Sequence, residues 1–191
     1  MELLEAIKNR RSIRKYRTDP VDDDKVNTIL EAGRWAPSWA NTQCWRFVVV
    51  RDEKIRAGLA DTLLKIKLPG KEIPNPAAGA LSAAPVIIVV CAEIGKSGAG
   101  HGSDKYETDK GDWFMFDAAL AAQNMVLTAH SLGLGTVIIG AFDAAKAEKV
   151  INVPDGYRIV TFFPVGVPEQ AGKAPPRKEL ADIVIKDRWG K

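Results

Sequence analysis

The sequence predicts an α+β layered fold, a mixed central sheet flanked by helices. Three observations predict it. Pro85-Val-Ile-Ile-Val-Val-Cys91 is a continuous apolar run, the pattern of a strand buried on both faces. Asp112 to Leu132 is a long helical pattern, with Trp113, Phe116, Leu120 and Leu127 in one stripe among small alanines. Strand-like and helix-like segments alternate along the chain, and few strands are consecutive enough to pair as hairpins.

The remaining elements follow in chain order. Glu2 to Asn9 places Leu3, Leu4 and Ile7 on one helical face, which needs a partner surface. Thr18-Asp19-Pro20 is a turn. Asp22-Asp23-Asp24 then opens a second helix, since carboxylates in a first turn suit its positive end, and Val26, Ile29, Leu30 and Gly33 follow at helical spacing. Trp45 to Val50 reads as a strand. Asp52 to Ile66 reads as a helix with Ile55, Leu59, Leu63 and Ile66 in register, and Leu68 to Ala80, rich in Pro, Gly and Ala, as a loop or frayed helix. Gly133 stops the long helix, and Gly135 to Gly140 is a short buried strand. Asp143 caps a helix through Ile151, and Arg158 to Gly166 is a last strand. The tail from Lys173 is extended and basic, yet carries Ile183, Val184, Ile185 and Trp189. So much apolar surface near a terminus implies docking, with a second protomer as one candidate.

Bulk properties exclude several classes. The 191 residues allow one large domain or a domain with arms, and no linker or internal repeat divides them. Net charge is only +3 with a pI of about 8.8, a milder excess than nucleic-acid binding usually shows. Cys44 and Cys91 suggest neither a disulfide framework nor a four-ligand zinc site. His101 and His130 have no metal-spaced partners, and His130 reads as packed or capping rather than catalytic. The start reads as an ordinary amphipathic helix rather than a signal peptide. The longest apolar run, Ala83 to Ala92, is far short of the ~20 residues of a membrane helix. The expectation is a cytoplasmic protein.

Two stretches carry chemistry. Lys8-Asn-Arg-Arg-Ser-Ile-Arg-Lys-Tyr-Arg17 packs six cations into ten residues around Ser12. Planar guanidinium forks and a hydroxyl donor match phosphate oxygens. Taken alone, the run reads first as a solvated basic face or a nucleic-acid patch. In Arg34 to Trp45, three of the chain's five tryptophans are interleaved with Pro, Ser, Asn, Thr and Gln. That is the make-up of a small-molecule pocket wall or, equally, of a loop over a tryptophan minicore. A third stretch, Gly95-Lys96-Ser97, hints at a phosphate loop, but Val90 stands where that pattern needs glycine, so it reads as a flexible surface loop through Gly102.

Arg10-Arg-Ser-Ile-Arg-Lys-Tyr16 followed by Ala36-Pro-Ser-Trp-Ala-Asn-Thr-Gln-Cys-Trp45 resembles the nitroreductase family of FMN-dependent NAD(P)H oxidoreductases. Leu132 to Asp143, and Pro164-Val-Gly166 through Pro176-Arg177-Lys178, are similar to that family's later motifs, over nearly the whole chain. The resemblance implies a single nitroreductase-like domain over 1–191, an intertwined homodimer with FMN at the interface, and an arm from about 173 to 191 on the partner. It implies that Arg10, Arg11, Ser12 and Arg14, joined by Arg177, hold the FMN phosphate and ribityl chain. Pro37, Ser38 and Asn41 would come from the other protomer and flank the ring, with Trp39 also in the cofactor site and Gln43 a further ring contact. Ile138, Ile139, Gly140 and Ala141 would lie against the ring. Gly140 stands where relatives often carry an acid and Cys44 where they often carry proline; the residue facing the pyrimidine edge is unassigned.

The implied reaction passes hydride from NAD(P)H through FMN to a nitroaromatic or quinone in alternating half-reactions, with no protein acid or base. Alternatives are a same-scaffold reductive dehalogenase or flavin-modifying enzyme, and a non-catalytic flavin-binding protein. Energetics favour a bound anion over a casual cluster: hydrogen bonds to a charged group give roughly 1.5–3 kcal/mol each, against about 0–1 for exposed ion pairs.

Overall fold

A computed structural model describes the chain from 1 to 191 apart from His101, Asp104 and Lys191. Its centre is a four-stranded sheet. The strands are β1 (Trp45–Val50), β4 (Val86–Glu93), β5 (Gly135–Thr136) and β6 (Tyr157–Gly166), in the order β1-β4-β6-β5. Every pairing between them is antiparallel, and the parallel component of the expected mixed sheet is one bridge between Ser12 and Thr136.

β4 is the middle of the molecule, as its unbroken apolar run requires. Seven successive residues, Val86 to Ala92, are buried. Because strand side chains alternate, Ile87, Val89 and Cys91 enter one core and Val86, Ile88, Val90 and Ala92 the other. The first core is covered by α3 (Glu53–Ala60), α4 (Ala78–Ala83) and α6 (Ala144–Val150), which contribute Leu59, Leu81 and Ala147. The second is covered by α2 (Asp23–Arg34) and α5 (Phe114–Ser131), which contribute Val26, Ile29, Met125 and Val126. β6 feeds both, with Phe162 on the first side and Phe163 on the second.

In α5 the buried face differs from the expected stripe. Ala118, Ala121, Ala122, Met125, Val126 and Ala129 are buried, whereas Met115 and Phe116 are more than half exposed. Small side chains let α5 lie close to the sheet and to α2. At the α2 contact Gly33 is required, because a Cβ there would come within 2.8 Å of Met125 Cγ. Met115 and Phe116 are turned away from the chain's own core. The same is true of Leu3, Leu4 and Ile7 on α1 (Leu3–Asn9), whose buried residue is Ala6.

Two further expectations are corrected. The helix from Asp52 stops at Ala60, not at Ile66. Thr62 is buried with its hydroxyl on the Leu59 carbonyl (2.7 Å), and its own carbonyl accepts from Asp143 N (2.8 Å). These tertiary bonds divert the chain. The next segment is a hairpin, β2 (Ile66–Leu68) and β3 (Lys71–Ile73), around Pro69-Gly70, followed by α4. The Gly95-Lys96-Ser97 segment is not simply a surface loop either, since Ser97 is fully buried and its carbonyl accepts from Trp113 N at 2.9 Å. The expected strand Gly135–Gly140 is regular only at Gly135–Thr136, with Ile139 continuing as a bridge to Phe162.

Candidate functional site

The basic run leaves α1 in extended conformation. Ile13 N donates to Thr136 O at 2.9 Å, and Arg17 N to Val167 O at 2.9 Å. Ile13 and Tyr16 are the buried members of the run, and Tyr16 also donates its hydroxyl to Ile13 O at 2.7 Å. Burial pushes the Tyr16 phenol well above its ordinary pKa. Gly135 lets Ile13 seat so closely: a Cβ there would stand 2.8 Å from Ile13 Cβ. With those two side chains locked inward, Ser12 and Arg14 are left exposed.

They open onto a cavity of about 360 Å³ lined by Arg10, Arg11, Ser12, Arg14, Lys173, Pro175 and Arg177. Arg177 thus reaches the run from far along the sequence, as expected. Lys173 is a fifth cation that sequence reasoning placed only in a basic tail. Among the described residues, none of these five cations has a carboxylate within 4.0 Å, although seven other ion pairs form. Arg11 instead donates to Lys8 O (2.6 Å) and Arg10 O (2.8 Å). Arg10 is held below the ordinary guanidinium pKa by burial, then by Arg11 and Arg177. Such mutual repulsion without a counter-charge is what an anion would relieve. An adjoining cavity of about 430 Å³ shares Arg10 and Arg11 and includes His130, whose buried Nε2 has no hydrogen-bond partner among the described residues.

From Thr136, bridged to Ser12, the chain runs to the second group of expected site residues. Ile139 is buried, with its N donating to Phe162 O (3.0 Å) and its carbonyl accepting from Thr161 Oγ1 (2.8 Å). Ile138, Gly140 and Ala141 are exposed, and a Cβ on Gly140 would meet no atom within 4 Å among the described residues. Ala141 O accepts from Leu64 N (3.0 Å) and from Asn75 Nδ2 (3.4 Å), and Asn75 Nδ2 also reaches Leu64 O (3.2 Å). Asn75 therefore ties both ends of the β2–β3 hairpin to this loop. It was not singled out from the sequence, where it is one polar residue between two prolines.

The tryptophan-rich loop is the third group. Ala40, Asn41 and Gln43 all have left-handed backbone (φ 42°, 57° and 48°). Ser38 Oγ accepts from Gln43 N at 3.0 Å and closes the loop. Pro37, Asn41 and Gln43 are exposed. Trp39 is turned inward instead: its ring lies 5.3 Å from that of Trp113, and its Nε1 donates to Ala99 O at 3.2 Å. Its backbone N donates to Asp117, near the start of α5. His130, beside the arginines, is near the other end of the same helix. Thirteen residues of α-helix span about 20 Å. One chain therefore assembles Arg10, Arg11, Ser12, Arg14 and Arg177 and links them to Ile138–Ala141, but leaves Pro37, Ser38, Trp39, Asn41 and Gln43 at a distance.

Comparison with known proteins shows what the chain is similar to. A sequence model of the Nitroreductase family matches residues 7–167. A curated relative from Methanothermobacter thermautotrophicus, with a provisional NADH dehydrogenase/NAD(P)H nitroreductase name, is 30% identical over 186 residues, covering 95% of this chain and 84% of that protein. The crystal structure of a nitroreductase family protein from Clostridium novyi NT superposes with a TM-score of 0.75 at 30% identity, covering 88% of each chain. The NADPH:FMN oxidoreductase of Vibrio harveyi, solved with NAD+, superposes with a TM-score of 0.80 at 25% identity, covering 99% of this chain and 78% of that one.

Proposed function

This chain belongs to the nitroreductase family, and on that footing we propose that it is an FMN-dependent NAD(P)H oxidoreductase acting as a homodimer. One observation carries the reading: five cations and a serine hydroxyl meet on one cavity with no carboxylate to neutralise them among the described residues. A phosphate dianion fits that chemistry. Arg10, Arg11, Arg14 and Arg177 would hold it with charge-assisted bonds, with Lys173 adding charge and Ser12 a neutral donor.

FMN, when bound, would supply the redox chemistry between NAD(P)H and a small oxidant such as a quinone or nitroaromatic. The chain's own groups bind, orient and shield. Ile138, Ile139, Gly140 and Ala141 offer a ledge to the ring, kept in place by the Ile139–Phe162 bonds and by Asn75. Pro37, Ser38, Asn41 and Gln43 flank the ring from the partner copy, with Trp39 anchoring their loop. Exposed apolar side chains support that partner: Leu3, Leu4 and Ile7 on α1, Met115 and Phe116 on α5, and Leu180, Ile183 and Trp189 in the arm.

The test is to load the protein with FMN, remove the excess, and follow NAD(P)H with and without a quinone such as menadione. Quinone-dependent consumption is expected. Retained flavin without turnover would instead mark a flavin-binding protein, and no retained flavin would refute the reading outright.

A further inference from the structure

Asp117 is the only carboxylate, and the only charged Asp, Glu, Lys or Arg side chain, in the eighteen residues of α5. It is 1% exposed. A buried carboxylate needs a cation or several hydrogen-bond donors. No Lys, Arg or His lies within 4.0 Å of it among the described residues. Its donors are all neutral. Trp39 N reaches its two oxygens at 3.2 and 3.1 Å, the Ser97 hydroxyl donates to Oδ2, and the Cys44 thiol lies 3.9 Å from Oδ2. The α5 first turn adds its positive end.

The placement of those donors is informative. Trp39 and Cys44 bracket the segment in which Ala40, Asn41 and Gln43 hold left-handed backbone. Side chains other than glycine keep such conformations only where surrounding contacts over-determine them. Ser97 belongs to the Gly95-Lys96-Ser97 segment, whose burial otherwise has no use in the proposed site. Its neighbour Ala99 takes the Trp39 indole N–H, and the Ser97 carbonyl takes Trp113 N. Trp113 in turn supports the Trp39 ring. Burial, then the Asp117 and Asp112 charges, push the Cys44 thiol up to about 12, so it remains a protonated donor.

We propose that Asp117 is a positioning residue for the site: its buried carboxylate, braced by Ser97, fixes the Pro37–Gln43 backbone in the form that meets the flavin ring of the partner's site. The proposal rests on the function proposed above and adds to it a residue at the far end of α5 from the arginines. Asp117 does not touch the phosphate cavity, so its effect falls on the ring and the oxidant rather than on cofactor retention.

Two variants test it, Asp117→Asn, which keeps the shape, and Ser97→Ala, which removes one donor. The first readout is amide hydrogen exchange of the 38–44 segment in flavin-free protein. Exchange there should accelerate about tenfold or more in both variants while the β4 and β6 amides stay protected; unchanged exchange overturns the clamp. The second readout is steady-state kinetics of FMN-loaded protein with menadione. KM should rise at least about fivefold with FMN content unchanged and a smaller effect on kcat. A wild-type KM, or loss of FMN in proportion to loss of activity, overturns the positioning role. Should Asp117→Asn fail to fold, Ser97→Ala carries both readouts. Wild-type protein that retains no FMN overturns the proposed function, and the ring-positioning role with it, whatever the exchange result.

Discussion

Removing Arg14 and Arg177 together should weaken FMN binding about 100-fold without unfolding the protein. Each guanidinium can make at least one charge-assisted bond to the phosphate, worth roughly 1.5–3 kcal/mol. Two such bonds would sum to about 3–6 kcal/mol if fully desolvated. Both side chains are exposed, and Arg10, Arg11, Lys173 and Ser12 remain to take up part of the load, so the lower end applies. About 3 kcal/mol corresponds to roughly a hundredfold in Kd. Neither arginine has a carboxylate partner or a long-range protein bond among the described residues, so folding loses little. The assay is titration of FMN fluorescence on Arg14→Ala/Arg177→Ala, with thermal unfolding recorded in parallel. Arg34→Ala is the control, because that arginine is paired with Glu31 at 2.5 Å and lies outside the cavity. A double variant within about threefold of wild type in Kd, or an equal effect of Arg34→Ala, would refute the phosphate assignment.

Other expectations follow from particular contacts. Gly135→Ala would drive a Cβ to 2.8 Å from Ile13, costing about 1–3 kcal/mol of stability by overpacking and loosening FMN by displacing adjacent Ser12; unfolding and flavin titration read the two effects. Phe162→Ala removes a fully buried ring from the core under the Ile138–Ala141 ledge and should cost about 3–5 kcal/mol in denaturant unfolding. His130 is held below its ordinary pKa of 6.5 by burial, then by Arg10 and Arg11. The unfolded chain then binds more protons between that lowered value and 6.5, so this contribution to stability is present above 6.5 and is lost as pH falls through the lowered folded value. FMN should offset the two arginines and move the His130 titration upward, which NMR with a His101→Gln variant can follow.

How far the site was legible in the sequence depended on how local its physics is. The β4 run, β6 and the Asp143 cap are local patterns, and all three form as their residues suggest. The arginine run was legible because Arg10 to Arg14 are adjacent, and Arg177 because a motif carried it. Other features depended on the third dimension. The α3 terminus is set by Thr62 bonding to Asp143, eighty-one positions away, and no cap residue at Ala60 announces it. The hairpin at Ile66–Ile73 was hidden by Pro69-Gly70, which reads as loop chemistry although it turns two short strands. The α5 stripe misled because large apolar residues mark a core by default, whereas here alanines pack inward and Phe116 faces out. Asp117 did leave a signal, as one lone charge in a long apolar helix, and the partners that explain it lie twenty and seventy-eight residues away.

The most direct test of the central claim compares FMN with riboflavin. Wild-type protein is mixed with each, passed through a desalting column, and its visible spectrum and oligomeric state are recorded. The arginine cavity predicts a yellow dimer retaining one FMN per chain, with riboflavin, which shares the ring but lacks the phosphate, washed away. Equal retention of both flavins, or of neither, would contradict it.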